Sequence, residues 1–323
     1  MDPELRDRVS ALFPAAGPRR TRVAVEHEII TARSTGEHAP IEAVRAATRG
    51  SAYSRYLGFE PGGQVELSLP CAGSRAELAS RLRDDVGALR RDLAAVGIAI
   101  SSAAVDPRPE SAVPLQLTSR RYLAMQAHFD SIGPAGRRMM RRTASTQVCL
   151  DWWSGRAGLE QWRLMNLAAP FLAAAFARSA GPQGRLATWL AVDPSRTAFD
   201  DRLLHGDDPV AAYADLAATA TVFVTGGTDE HLSTLFPPVR PRGQYLEVRF
   251  PDAQPVEEVG VLVDCLATLL YDDDRRAQAL ALVEPEQSRL GEHWESSATG
   301  DLRTLERGLA LVDLTAKVRV GAA

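Results

Sequence analysis

With 323 residues, 45% of them hydrophobic and 24% charged, the chain can bury one large mixed core or two smaller ones. A formal charge of -4 argues against a dedicated nucleic-acid binder, and neither the charged N-terminus MDPELRDRVS nor the apolar run at about 167–177 is built to cross a membrane. Lys317 is the single lysine among 37 Lys and Arg, which rules out a GxxxxGK phosphate loop and a Schiff-base lysine in the body of the chain.

Any phosphate bound here must therefore be held by arginine, backbone N–H groups or metal. Cys71, Cys149 and Cys265 are widely spaced and form no CxxC pair, the usage of a reducing cytosol, so a cytoplasmic protein is expected.

In chain order, RVAVEHEIIT (22–31) reads as a first strand and residues 64–69, after the Pro-Gly-Gly turn of FEPGGQVELS, as a second. A helix follows, opened by a capping box of Ser74 and Glu77. It is marked by Leu78, Leu82, Val86, Leu89, Leu93 and Val96, and closed by Gly97. Further strands are expected at 98–103, 143–151 (TASTQVCLD), 220–225 and 244–250 (QYLEVRF). Further helices are expected at 119–131, 158–178, 210–218, 255–271 and 301–316, with Pro170 kinking or dividing the second of these. In the last helix Leu302, Leu305, Leu309 and Val312 are expected to close the core. No GxGxxG follows a strand, so the pattern favours an α+β fold with a largely antiparallel sheet over a doubly wound one.

Strand side chains alternate between two faces. On that rule Glu26 and Glu28 oppose Val25, His27 and Ile29, while Gln64, Glu66 and Ser68 oppose Val65, Leu67 and Leu69. Gln147 opposes Val148, and Tyr245, Glu247 and Arg249 oppose Leu246, Val248 and Phe250. Four strands with one plan, joined in one sheet, bring Glu26, Glu28, Glu66 and Glu247 together. Carboxylates gathered that closely call for a hard cation, and the lack of a His or Cys cluster points to Mg²⁺ or Mn²⁺ rather than zinc. His27, on the apolar face, reads as a core histidine. The arginines at 137, 138, 141 and 142 read as a solvated helix face, with contact to an anion as the alternative their place just before a strand leaves open.

The strings VEHEI, FEPGGQVELS, RRYLAMQAHFDSIGPAGRRMMRRTASTQVCLDW, DPSRT and HLSTLFPPVRPRGQYLEVRFPDAQP, in this order, resemble the plant-type glutamate–cysteine ligases and their actinobacterial relatives of the ergothioneine pathway. The resemblance runs from about 20 to about 270, and EPGGQxELS with a downstream YLExR is its specific pair. It implies a single catalytic domain over 1–323, with C-terminal helices from about 271. The implied fold is that of the glutamine-synthetase-like carboxylate–amine ligases, a curved antiparallel sheet forming an acidic cup. It also implies ATP, Mg²⁺ (or Mn²⁺), L-glutamate and L-cysteine as ligands, and γ-glutamylcysteine made through a γ-glutamyl phosphate.

Carried over residue by residue, Glu26, Glu28, Glu66 and Glu247 resemble the metal-binding carboxylates, Glu28 and Arg249 the nucleotide-side groups, and Arg249 and Glu66 the catalytic ones. Gln147, Arg240, Gln64 and Arg185 resemble substrate-binding residues. After PFLAAAFARSAG, and again between Val224 and His231, this chain is shorter than the family pattern, leaving Arg185 as the remnant of one loop. A ligase for a different amine and a catalytically silent, nucleotide-binding relative therefore stay open beside glutamate–cysteine ligation. Small molecules, not nucleic acid or membrane, are the expected partners.

Overall fold

The computed structural model describes residues 3–197, 199–206 and 208–316. Among these residues seven antiparallel strands form the centre of the fold. They are β1 (Val23–Arg33), β2 (Leu57–Phe59), β3 (Val65–Leu69), β4 (Ile98–Ser101), β5 (Thr146–Asp151), β6 (Val239–Arg242) and β7 (Tyr245–Val248). The order across the sheet is β2-β3-β1-β5-β7-β6, and β4 pairs with the far end of β1. The fold is α+β with an open antiparallel sheet.

The register fixes which polar side chains meet. Glu28 pairs with Glu66 across β1 and β3, Glu26 with Gln147 across β1 and β5, and Glu247 with Cys149 across β7 and β5. In between, Val25, Ile29, Val65, Leu67, Val148, Leu150, Leu246 and Val248 are buried on the opposite face. The helix Arg75–Ala94 packs there against β1 and β4, and Val259–Tyr271 packs against β5. At the head of the first helix the Ser74 hydroxyl accepts from the Glu77 N–H at 3.1 Å, and Glu77 accepts from the Gly73 N–H at 2.9 Å.

Several expectations need correction. Residues 220–225 form no strand; the stretch is tied down from the side instead, with Phe223 stacked on His128 at 4.4 Å and the Thr221 carbonyl accepting from Arg196. The helix Gly155–Ala175 runs unbroken through Pro170, because almost every residue from Gln161 to Ala174 is buried and packing offsets the lost hydrogen bond. Helix Leu302–Ala316 packs on that helix through Thr304, Gly308 and Leu311, while Leu302 and Leu309 are exposed. Gly308 sits so close that an added Cβ would lie 2.1 Å from the Phe171 carbonyl.

The turn before β3 is held from three sides. Gly63 has φ +90, open to glycine at little cost. The Gln116 amide donates to the Gly62 carbonyl at 3.0 Å, and a Cβ on Gly62 would stand 2.2 Å from the Arg141 carbonyl. Gly62→Ala is expected to cost about 1–3 kcal/mol, since backbone must move to admit the methyl group; a melting temperature equal to wild type would show that the turn is not packed this tightly.

Candidate functional site

The polar face of the sheet is the floor of a 310 Å³ cavity, roofed by the helices Arg120–Ile132, Ala135–Arg142 and Arg185–Leu190 and by residues near Ser233 and Phe236. All nine residues singled out from the sequence line it: Glu26, Glu28, Gln64, Glu66, Gln147, Arg185, Arg240, Glu247 and Arg249.

At one end the acids gather. Glu28, Glu66 and Glu60 each offer a carboxylate oxygen, all within 4.8 Å of one another. Glu60 escaped the sequence reading because it stands in the turn ahead of β3, where alternation says nothing; its N–H donates to the Gln64 carbonyl at 2.8 Å and its own carbonyl accepts from Gly63 at 2.8 Å. Burial, and then the charges of Glu28 and Glu66, push Glu60 well above the ordinary carboxylate range. Burial raises Glu28 as well, although Arg185 and the Ser145 N–H, which meets Glu28 Oε2 at 2.7 Å, oppose the rise.

At the other end the guanidiniums gather. Glu247 is gripped by Arg240 at 3.3 Å, Arg242 at 2.8 Å and Arg249 at 2.9 Å. Burial would raise its pKa, but the three arginines together hold it below the usual value. The structure thus assigns Glu247 to an arginine cluster and does not bring it into the three-carboxylate group. Arg240, stripped of water and facing Arg249, is lowered to about 10.

Gln147 joins the two ends. Its Nε2 donates to Glu28 Oε1 at 2.9 Å and its Oε1 accepts from Arg249 Nε at 3.2 Å. Arg249 Nη1 is buried with no partner among the described residues, while the guanidinium lies 5.7 Å from the ring centroids of Trp189 and Phe236. That orphaned donor, which no carboxylate of the cavity meets at hydrogen-bond distance, is placed for an anionic ligand oxygen.

Two residues taken from the sequence as substrate contacts are largely occupied. Arg185 donates to the carbonyls of Phe250 at 3.0 Å and Arg249 at 2.8 Å, and Gln64 Nε2 donates to the Thr143 carbonyl at 2.8 Å. Gln64 Oε1 remains buried and unpaired. Arg121 and Tyr122, on the helix expected at 119–131 but not among the residues singled out from the sequence, also line the cavity; burial, then the charge of Glu60, raises the Tyr122 hydroxyl.

His27 is a core histidine, as its face implied. It is fully buried, its Nδ1 sits 2.9 Å from Thr146 Oγ1, and burial lowers it to about 4. Beside it on the wet face, burial and then Glu247 and Glu66 raise Glu26 to about 7. The signs oppose each other. Metal-free Glu26 favours folding below its unfolded value of 4.5 and loses that contribution as pH rises through about 7; His27 favours folding above 6.5 and loses it as pH falls through about 4. Glu26→Gln is expected to stabilise the metal-free protein at pH 8 by up to about 3 kcal/mol, and to do nothing at pH 4. Equal melting temperatures for the two proteins at both pH values would contradict a raised Glu26.

The family described as Glutamate-cysteine ligase family 2 matches residues 22–308. Glutamate–cysteine ligase EgtA of Mycobacterium tuberculosis is 29% identical over 286 residues, covering 75% of this chain and 64% of that protein. EgtA of Mycolicibacterium smegmatis is 32% identical over 266 residues, covering 70% and 62%. The chloroplastic glutamate–cysteine ligase of Arabidopsis thaliana is 25% identical over 259 residues, covering 68% and 49%. The chain therefore spans less than two thirds of the length of these relatives. A bifunctional glutathione synthetase from Pasteurella multocida superposes with TM-score 0.49 at 13% identity, over 98% of this chain and 49% of that one, a likeness too low to carry site geometry.

Proposed function

This chain belongs to glutamate–cysteine ligase family 2, and from that premise we propose that it joins the side-chain carboxylate of L-glutamate to the amine of L-cysteine, using ATP. The observation that supports this best is the two-ended cavity: three carboxylates at one end, an unpaired Arg249 guanidinium N–H at the other, and Gln147 hydrogen-bonded to both.

A carboxylate oxygen is a poor leaving group, so amide formation needs the carboxylate phosphorylated first. Glu28, Glu60 and Glu66 suit a divalent cation such as Mg²⁺ or Mn²⁺: the donors are hard oxygens, no His or Cys among the described residues joins the group, and their mutual repulsion is what a cation relieves. Glu26 stands next to them as a further acidic group. Such a cation, when bound, neutralises the polyphosphate of ATP. The chain's own part is positional and electrostatic. Arg249 Nη1 meets charge on the transferred group, and Glu247 holds Arg240, Arg242 and Arg249 in one array. Through Gln147 the array keeps a fixed relation to Glu28. Arg240, with Nη2 held by the Leu235 carbonyl at 2.6 Å, lines the same wall and would face an anionic substrate group.

Following the resemblance to ergothioneine-pathway ligases, the proposed product is γ-glutamylcysteine for ergothioneine or a related thiol, made in the cytoplasm. No described helix is long and apolar enough to cross a membrane.

The test is ADP release with Mg²⁺, ATP and L-glutamate, with and without L-cysteine, followed by mass analysis. Cysteine-dependent release with γ-glutamylcysteine formed is expected. Release that ignores cysteine but rises with another amine would move the acceptor to that amine, and no release with ATP still bound would make the chain a silent relative.

A further inference from the structure

The helix Ala135–Arg142 carries four arginines, and its acidic neighbours answer only part of their charge. Arg137, Arg138 and Arg141 converge on one carboxylate, Glu110, at 3.3, 3.6 and 3.4 Å, and Arg137 also meets Asp130 at 2.9 Å. Burial lowers the pKa of Arg141, with Arg137 and Arg142 acting in the same direction against Glu110, so the positive charges here repel one another. Arg142 faces elsewhere: its Nη2 donates to the Asp106 carbonyl at 2.8 Å, and its Nε is buried without a partner among the described residues.

Arg142 and Arg138 line a separate cavity of 60 Å³, together with Val105, Thr143, Gln183 and Thr188. It shares only Thr143 with the larger cavity, and no carboxylate lines it among the described residues. The Thr143 hydroxyl is spent on the Met139 carbonyl at 2.8 Å, which leaves two guanidiniums, the Thr188 hydroxyl and the Gln183 carboxamide as donors. A space of this size holds about two waters or one compact ion, and it is too small for a nucleoside. A cation would find no acid here, whereas planar guanidinium forks match the oxygens of a small oxyanion.

We propose that the cavity between Arg138, Arg142 and Thr188 binds a phosphate-class oxyanion, at a site distinct from the carboxylate cup. The occupant is either free inorganic phosphate or a phosphate group of a nucleotide whose remainder lies outside. The site would adjoin the cup through the backbone: the Thr143 carbonyl holds Gln64, and the Ser145 N–H two residues on holds Glu28. Its existence does not depend on the ligase reading.

The experiment is calorimetric titration of inorganic phosphate into the whole chain without divalent cation, for wild type, Arg138→Gln, Arg142→Gln and Arg249→Lys. Arg142 also anchors the Asp106 carbonyl, so its variant can lose stability; the half-exposed Arg138 makes the decisive substitution. Wild type is expected to show saturable binding near the millimolar range, weakened about fivefold or more by Arg138→Gln and retained in Arg249→Lys, a substitution that removes only phosphate held in the carboxylate cup. Competition by ADP at this site would identify the source as a nucleotide phosphate, and its failure would identify free phosphate. Absence of saturable binding, or binding lost in Arg249→Lys and kept in Arg138→Gln, would overturn the proposal.

Discussion

Glu66→Ala is expected to weaken divalent-cation binding by more than about 100-fold and to abolish ATP turnover while the fold survives. Loss of a residue that merely orients a metal ligand costs about 10- to 100-fold, and in the proposed cation site Glu66 would offer a ligand oxygen itself, beside Glu28 and Glu60. Outside that group its side chain is supported by a 2.6 Å hydrogen bond from the Ser68 hydroxyl. Removing it also takes away charge that raises Glu26, Glu28 and Glu60. The metal-free variant should therefore melt no lower than wild type, while the rise in melting temperature caused by Mg²⁺ disappears. Near-normal turnover with an unchanged circular dichroism spectrum would remove Glu66 from the cation site.

Arg249→Lys is expected to lower kcat by about 10²- to 10³-fold, the scale of losing one preorganised donor to developing charge. Arg249 uses its Nε twice, on Glu247 at 2.9 Å and Gln147 at 3.2 Å, and keeps Nη1 free in the cavity. An ammonium group cannot hold both partners and still present that third direction. Cation binding should change little, because Glu28, Glu60 and Glu66 remain. Comparable rates for the two proteins would make Arg249 structural.

Much of this site was legible in the sequence because strand alternation is a strict geometric rule. Glu28 and Glu66 were expected to share a face, and the β1–β3 register sets them directly opposite each other. Glu26 and Gln147 pair in the same way across β1 and β5. The rule fails where the chain leaves the strand. Glu60 belongs to a turn whose aim is decided by Gly62, Gly63 and Gln116, and Arg121 and Tyr122 look along the helix like ordinary surface positions until that helix roofs the cavity. Alternation also gives proximity without partnership: Glu247 reached the right face, but three arginines from β6 and the end of β7 hold it. The short strands β2 and β6 were missed, one of three residues and the other carrying Pro241, which pattern alone does not mark. At 220–225 the β-branched run was real, yet no strand edge receives it, and Arg196 and His128 bind it as an irregular segment.

The proposed first step in this cup is phosphorylation of a carboxylate. It is tested most directly by incubating the protein with ATP, Mg²⁺, L-glutamate and hydroxylamine, a small nucleophile that traps acyl phosphates. γ-Glutamyl hydroxamate is expected in step with ADP, dependent on ATP and on the divalent cation, and absent from Glu66→Ala. ADP formed without hydroxamate, or no ATP consumed with glutamate and cysteine both present, would contradict it.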